Sequence, residues 1–129
     1  MIKKMYYIKI AGECMLNWDL EYFQGIFLIR LKGSLNKFNN ERINDYLVSV
    51  IKKMNLNKIV INLAKLENID YSGINALLNV LCTVKEREGI IYFCELNPGI
   101  LKRLCKYHIK IISSEKTALK LARCDKDEL

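Results

Sequence analysis

Strand-like and helix-like segments alternate along this chain from Gly25 onward, and this alternation constrains the fold more than any other feature. Short apolar stretches such as KIVINLA and IIYFCEL are typical of strands buried inside a parallel sheet. Between them, apolar residues recur at every third or fourth position, as in a helix with one face packed on a core. The pattern therefore predicts an α/β domain with a mixed, mostly parallel sheet, right-handed crossovers and about four helices.

The segment before this alternation predicts an antiparallel hairpin at one edge of the sheet. The stretches WDLEYF and GIFLIRLKG have β character, and they flank the turn sequence Gln24-Gly25. Residues 1–17 precede the hairpin and are predicted to form an N-terminal extension, either one more edge strand or a mobile arm. The folded domain is predicted to span residues 18–123, and residues 124–129 are predicted to form a flexible tail.

Short polar residues mark the predicted starts of the helices. These starts are Asn39 or Asn40, the corner from Asp70 to Gly73, Asn97-Pro98, and Ser113 or Ser114. In the third helix, Leu101, Leu104 and Cys105 are predicted to face the core.

The cysteine pattern and the hydropathy of the sequence indicate in which cellular compartment the protein is expected. The five cysteines are odd in number and form no C-x-x-C pair, which favours reduced thiols over a disulfide framework or a zinc site. Cys82, Cys94 and Cys105 fall on predicted apolar faces and are expected to be buried. No apolar segment approaches the roughly 18 residues of a membrane span, and no secretion signal is visible. We therefore expect a cytoplasmic protein that does not insert into membranes.

Few residues suggest catalysis or nucleic-acid binding. The formal charge is +7, but Lys and Arg are dispersed, which favours a solvated surface over nucleic-acid binding. The one histidine, His108, has no nucleophile or carboxylate beside it in sequence and is interpreted as structural. Neither a phosphate-binding glycine loop nor a metal-ligand spacing of acidic residues occurs. The sequence thus predicts no enzyme, no cofactor and no metal site.

The corner from Asp70 to Gly73 is the remaining candidate for function. Asp70 or Ser72 can cap the second helix, and Gly73 allows close packing against the strand. A hydroxyl here would lie where helix amides and the helix dipole favour a phosphate. Tyr71 has no such local role, so we interpret it as an exposed aromatic contact.

Three segments in order, GIFLIRLKGSLN, NKIVINLAKLENIDYSGINALL and IIYFCELNPGILKRL, resemble the STAS family. This is the domain of bacterial anti-sigma factor antagonists and of sulfate-transporter tails, and the resemblance spans about residues Trp18 to Ala122. In the antagonists, an anti-sigma factor with a histidine-kinase-like ATP fold phosphorylates the serine directly after the corner Asp. The unphosphorylated antagonist binds that partner and frees the sigma factor.

The resemblance implies specific site residues. Asp70, Ser72 and Gly73 match the family corner, whereas Tyr71 occupies the phospho-acceptor position. An earlier strand of the family ends in the motif G-x-L-D, in which Gly33 and Leu35 match and Asn36 replaces the Asp. The resemblance therefore implies a non-enzymatic protein that binds a kinase-like anti-sigma factor and has lost the serine switch, with Ser72 as the candidate phospho-acceptor. The implied partner-binding residues are Gly33, Ser34, Asn36, Asp70, Tyr71, Ser72 and Gly73.

Two other functions stay open. The chain could be an accessory subunit that regulates a membrane transporter of lipids or anions, since some stand-alone STAS domains resemble transporter components. A third, weaker alternative is a nucleotide- or lipid-binding carrier. An exposed apolar patch continuous with Tyr71 would favour either protein partner, whereas a deep closed pocket would favour the carrier.

Overall fold

The computed structural model describes residues 2–9 and 15–124. Within these residues the strands form one sheet, in the spatial order β1 to β6. The strands are β1 Ile2–Lys9, β2 Met15–Phe23, β3 Ile26–Leu35, β4 Lys58–Ile69, β5 Ile90–Cys94 and β6 Lys110–Ile112. The helices are α1 Asn40–Lys53, α2 Tyr71–Glu86, α3 Pro98–Leu104 and α4 Glu115–Cys124.

The pairing of these strands confirms the predicted fold class. β3 pairs with β4, β4 with β5 and β5 with β6 in parallel, whereas β1–β2 and β2–β3 are antiparallel. The predicted hairpin is β2–β3, but it does not form the edge, because β1 pairs with the outer side of β2. Residues 1 and 10–14 of the predicted extension and residues 125–129 of the predicted tail lie outside the described residues.

Alternating side chains of the strands build two cores, one on each face of the sheet. In β3, Ile29 and Leu31 face the larger core, which α1, α2 and α3 cover with Leu47, Leu77 and Ile100. On the opposite face, strand side chains pack against α4 in a smaller cluster. That cluster comprises Ile26, Leu28, Val60, Tyr92, Cys94, Ala118 and Ala122. Burial is what raises the pKa of the Cys94 thiol to about 12, so this thiol packs as a hydrophobic group.

Three residues that were predicted to be buried are exposed, two in α3 and one in α2. Leu101 is 40% exposed, and Cys105 and Cys82 are also exposed. A helix as short as α3 presents only one narrow stripe to the core, and Ile100 and Leu104 occupy it. Leu101 follows Ile100 and therefore points about 100° away from it around the helix axis.

Arg30 of β3 helps to attach α4 to the sheet. The Nε and Nη2 atoms of Arg30 donate to the Glu115 carboxylate at 3.0 and 2.8 Å, and Nη1 donates to Asp19 and Glu21 of β2. Asn62 of β4 also donates to Glu115, at 2.7 Å. Burial alone would raise the pKa of Glu115, but the hydrogen bonds from Arg30 and Asn62 and the arginine charge outweigh it and lower this pKa.

Close contact between α2 and the end of β3 depends on Gly73. A Cβ atom built at Gly73 would lie 2.8 Å from Ile69 Cγ1 and 2.9 Å from Leu35 Cγ, and it would also press on the Leu35 carbonyl oxygen. Backbone cannot yield as a flexible side chain can, so the first turn of α2 can lie this near the sheet only with glycine at this position.

We expect Gly73→Ala to lower the free energy of unfolding by about 1–3 kcal/mol, because the added methyl group would force α2 away from Leu35. Urea denaturation measures this loss. Gly99→Ala is the matched control, since a Cβ there would meet only Asn97 Oδ1, at 3.4 Å. Equal effects of the two substitutions would contradict the close-approach explanation.

The Glu115 carboxylate should make stability depend on pH. Because its pKa is lowered from about 4.5 on folding, its contribution is present at neutral pH and is lost as the pH falls through the folded value. We expect Glu115→Gln to cost about 1–2 kcal/mol at pH 7, and this cost should shrink as the pH falls below 4.5 and through the lowered pKa of the folded state. Urea denaturation at each pH measures it, with the exposed Glu86→Gln as control. A cost that stays constant with pH would rule out the carboxylate charge as its source.

Candidate functional site

The two predicted site segments meet at one end of the sheet. β3 ends at Leu35 and β4 at Ile69, and these two residues are directly paired in the parallel register. Because both strands run in the same direction, the turn after β3 and the corner that begins α2 leave the sheet side by side.

The Asp70 side chain connects these two segments. Its Oδ1 atom accepts a hydrogen bond from Gly73 N at 2.9 Å, which makes Asp70 the N-cap of α2. Its Oδ2 atom accepts from the backbone amide of Lys37 at 3.1 Å, and Asp70 N donates to the Leu35 carbonyl at 3.2 Å. One carboxylate therefore caps the helix and fixes the neighbouring turn.

The turn after β3 is closed by Asn39, which is only 1% exposed. Its Oδ1 atom accepts from Asn36 N at 2.9 Å and its Nδ2 atom donates to the Ser34 carbonyl at 2.9 Å. The predicted cap position of α1 is thus confirmed, but no helix amide binds this side chain, which holds the turn instead. Asn36 Oδ1 accepts a hydrogen bond from Phe38 N.

Gly33 adopts φ +108° at the point where the register between β3 and β4 shifts. Only glycine adopts such a φ readily, so β3 can form an irregularity at this residue.

Tyr71 points away from the protein, as predicted. Its side chain is 67% exposed, and the Arg103 guanidinium of α3 lies 5.7 Å from the centre of its ring. α3 is held beside β4 by Asn97, whose Nδ2 atom donates to the Leu66 carbonyl at 2.8 Å and whose Oδ1 atom caps the helix at Ile100 N. The exposed ring is thus flanked by a cation that a separate, anchored helix provides.

The other predicted site residues differ in accessibility. Ser72 is half-buried, as are Ser34 and Asn36, and the Ser34 hydroxyl accepts a long bond of 3.4 Å from Asn68. Gly73 is buried, so its part in the site is to position α2.

Sequence reasoning missed a second exposed aromatic residue near the corner. Phe38 is 54% exposed, and the Lys37 ammonium lies 5.3 Å from the centre of its ring. The dipeptide Lys37-Phe38 in an otherwise polar turn was the available signal. We call the set Lys37, Phe38, Asp70, Tyr71 and Arg103 the corner surface, since its members are neighbours in sequence or are connected by the Lys37–Asp70 hydrogen bond and by contacts between cations and rings. The corner surface contains two aromatic rings, and a cationic side chain lies over each of them.

The described residues contain little that suggests another kind of site. No group of three or more His, Cys, Asp or Glu side chains among them could hold a metal ion. A half-open groove of about 640 Å³ lies beside Arg30 and is lined by Asn17, Asp19, Lys32, Asn62 and Glu95, among others. None of the helices in the described ranges is both long and apolar enough to cross a bilayer.

Comparison with known proteins agrees with the fold described above. The family model described as STAS domain matches residues 17–122. The anti-sigma F factor antagonist of Paenibacillus polymyxa is 24% identical over 89 residues, which are 69% of this chain and 76% of that protein.

Solved structures with a similar fold include the anti-sigma factor antagonist SpoIIAA in its unphosphorylated form. The TM-score is 0.70 at 21% identity, with 82% of this chain and 97% of that chain covered. The murine anion transporter Slc26a9 in the inward-facing state matches with a TM-score of 0.67 at 14% identity, over 81% of this chain but only 18% of the transporter. At such identities these structures show a shared fold. Together with the family match over most of its length, they show that the chain belongs to the STAS domain family.

Proposed function

We propose that this chain is a non-enzymatic, cytoplasmic regulator that binds an anti-sigma factor with a kinase-like ATP fold. The binding site comprises the turn from Gly33 to Asn36 and the corner from Asp70 to Gly73. The observation that carries the proposal is the exposure of Tyr71 directly after Asp70, whose carboxylate accepts hydrogen bonds from both the turn and the corner. The matched antagonist of Paenibacillus polymyxa supports the class of partner.

Loss of the phospho-switch is the second part of the proposal. A seryl phosphate directly at the helix start would stay beside the first-turn amides, whereas a tyrosine hydroxyl lies at the far end of its ring. The exposure of Tyr71 and its contact with Arg103 support a ring directed away from α2. Ser72 is half-buried behind it. On this basis the protein is always competent to bind.

Regulation of a membrane transporter is the alternative function. The structural similarity to Slc26a9 favours it, although this chain corresponds to less than a fifth of that transporter. The two functions differ in the partner: a soluble ATP-binding protein in one case and a membrane protein in the other.

Affinity capture from the native cell with tagged protein, followed by mass spectrometry, tests the proposed function. We expect recovery of a protein with the kinase-like ATP fold, and Tyr71→Glu should weaken binding to it by more than about 1.4 kcal/mol, a tenfold change. The melting temperature should stay nearly unchanged, because Tyr71 is exposed. Leu121→Glu, at a 38% exposed site on α4, is the matched control. Recovery of a transporter subunit would select the alternative, and an equal loss of stability in Tyr71→Glu would contradict the contact role.

Incubation of the chain with the captured partner and labelled ATP tests the lost switch. We expect no phosphate on the Leu66–Lys85 peptide of the natural chain, because Ser72 lies one residue beyond the attacked position and is half-buried. Tyr71→Ser should gain phosphate at position 71, which shows that the kinase is active in the assay. Phosphate on Ser72 would mean that the switch has moved by one residue, and stoichiometric phosphate on Tyr71 would contradict the proposal.

A further inference from the structure

Among the residues that the structure describes, the cations of the corner surface have no carboxylate partners. All ion pairs found among residues 15–124 belong to Arg30, which contacts Asp19, Glu21 and Glu115. Lys37 and Arg103 instead lie over the rings of Phe38 and Tyr71. A cation over an exposed aromatic ring gains about 0.5–1 kcal/mol, so it keeps most of its capacity to bind an anion.

Nearby acidic groups do not neutralise these two cations. Asp70 directs one carboxylate oxygen to Gly73 N and the other to Lys37 N, and its single negative charge stands against the two positive charges of Lys37 and Arg103. In the flanking sequence, the exposed carboxylates Glu41 and Glu67 are offset by the exposed cations Arg42 and Lys102. The net charge of these residues is therefore positive.

We infer that the protein segment bound by the corner surface is acidic, with carboxylates that pair with Lys37 and Arg103 while its apolar groups cover Phe38 and Tyr71. This inference rests on the proposed function and specifies the chemistry of its partner. Tyrosine and arginine are the residues most enriched at the energetic centre of protein interfaces. Complementary charge around such a centre selects the partner and speeds association.

A protein partner fits this surface better than an anionic membrane. Asp70 lies between the two aromatic–cation pairs, since it contacts Lys37 through a hydrogen bond and precedes Tyr71 in the chain. A uniform layer of lipid phosphates would bring negative charge against this carboxylate as well as against the cations. A folded or helical protein segment can place its carboxylates opposite the cations alone.

Two designed helical peptides of about 15 residues provide the probes. Both carry the same apolar residues on one face, with Glu in one peptide and Lys in the other at the polar positions. In NMR titrations, we expect the Glu peptide to shift the amide signals of Lys37, Phe38, Tyr71 and Arg103. The shifts should disappear as salt rises from about 0.05 to about 0.5 M, since these exposed charges are screened. The Lys peptide should cause no such shifts.

Charge reversal with matched controls tests the residues themselves. The double variant Lys37→Glu with Arg103→Glu should bind the Glu peptide at least tenfold more weakly. Lys53→Glu with Lys85→Glu changes the net charge equally at the far ends of α1 and α2, and Lys85 lies about 20 Å along its helix from Tyr71. Equal losses in both double variants, or shifts spread over lysines across the whole chain, would overturn the inference.

Further measurements separate this inference from the proposed function. If an anti-sigma factor is captured but binds the Lys37→Glu, Arg103→Glu variant normally, the acidic-partner inference fails and the proposed function stands. If the Glu peptide binds specifically but no anti-sigma factor is captured, the inference stands and the proposed function fails. Co-sedimentation with vesicles of phosphatidylcholine and about one-third phosphatidylglycerol should be absent. Sedimentation that is lost in Tyr71→Glu would overturn the inference in favour of a lipid surface.

Discussion

Parallel pairing of β3 with β4 is the constraint on which the rest of this structure depends. These strands lie at the centre of the sheet, and their side chains, which alternate between its two faces, contribute to both cores. Their paired ends at Leu35 and Ile69 bring together two loops that are distant in sequence. Asp70 then joins the loops through two backbone amides. Because Asp70 bonds across to Lys37 N and to the Leu35 carbonyl, the corner surface depends on this strand register.

The sequence predicted the fold well because its signals were local and periodic. Buried strands such as KIVINLA and the capping residues Asp70 and Asn97 each leave a pattern within a few residues. The wrong burial predictions have physical causes that a pattern of a few residues does not reveal. In α3 only Ile100 and Leu104 reach the core, and a helix of 7 residues is too short for its period to distinguish them from Leu101.

The corner and the turn were located by resemblance, and Tyr71 is exposed as expected. Phe38 and Arg103 were not found, because tertiary contacts bring them to the corner: one follows a turn held by Asn39, and the other lies on a helix anchored to β4. Arg30 likewise meets Glu115 across 85 positions of sequence, a distance at which no local pattern connects them.

Arg30 and the corner cations differ in how their charges are paired. Arg30 is half-enclosed and contacts three carboxylates, so its charge is used to hold α4 against the sheet. Lys37 and Arg103 face solvent beside aromatic rings, and neither forms an ion pair within residues 15–124. In the proposed function, a permanent aromatic contact replaces a phosphorylated serine, which would change what controls binding. Without a covalent switch, occupancy of the surface would follow the concentrations and affinities of the competing partners, and charge complementarity at these two cations would set the differences in affinity.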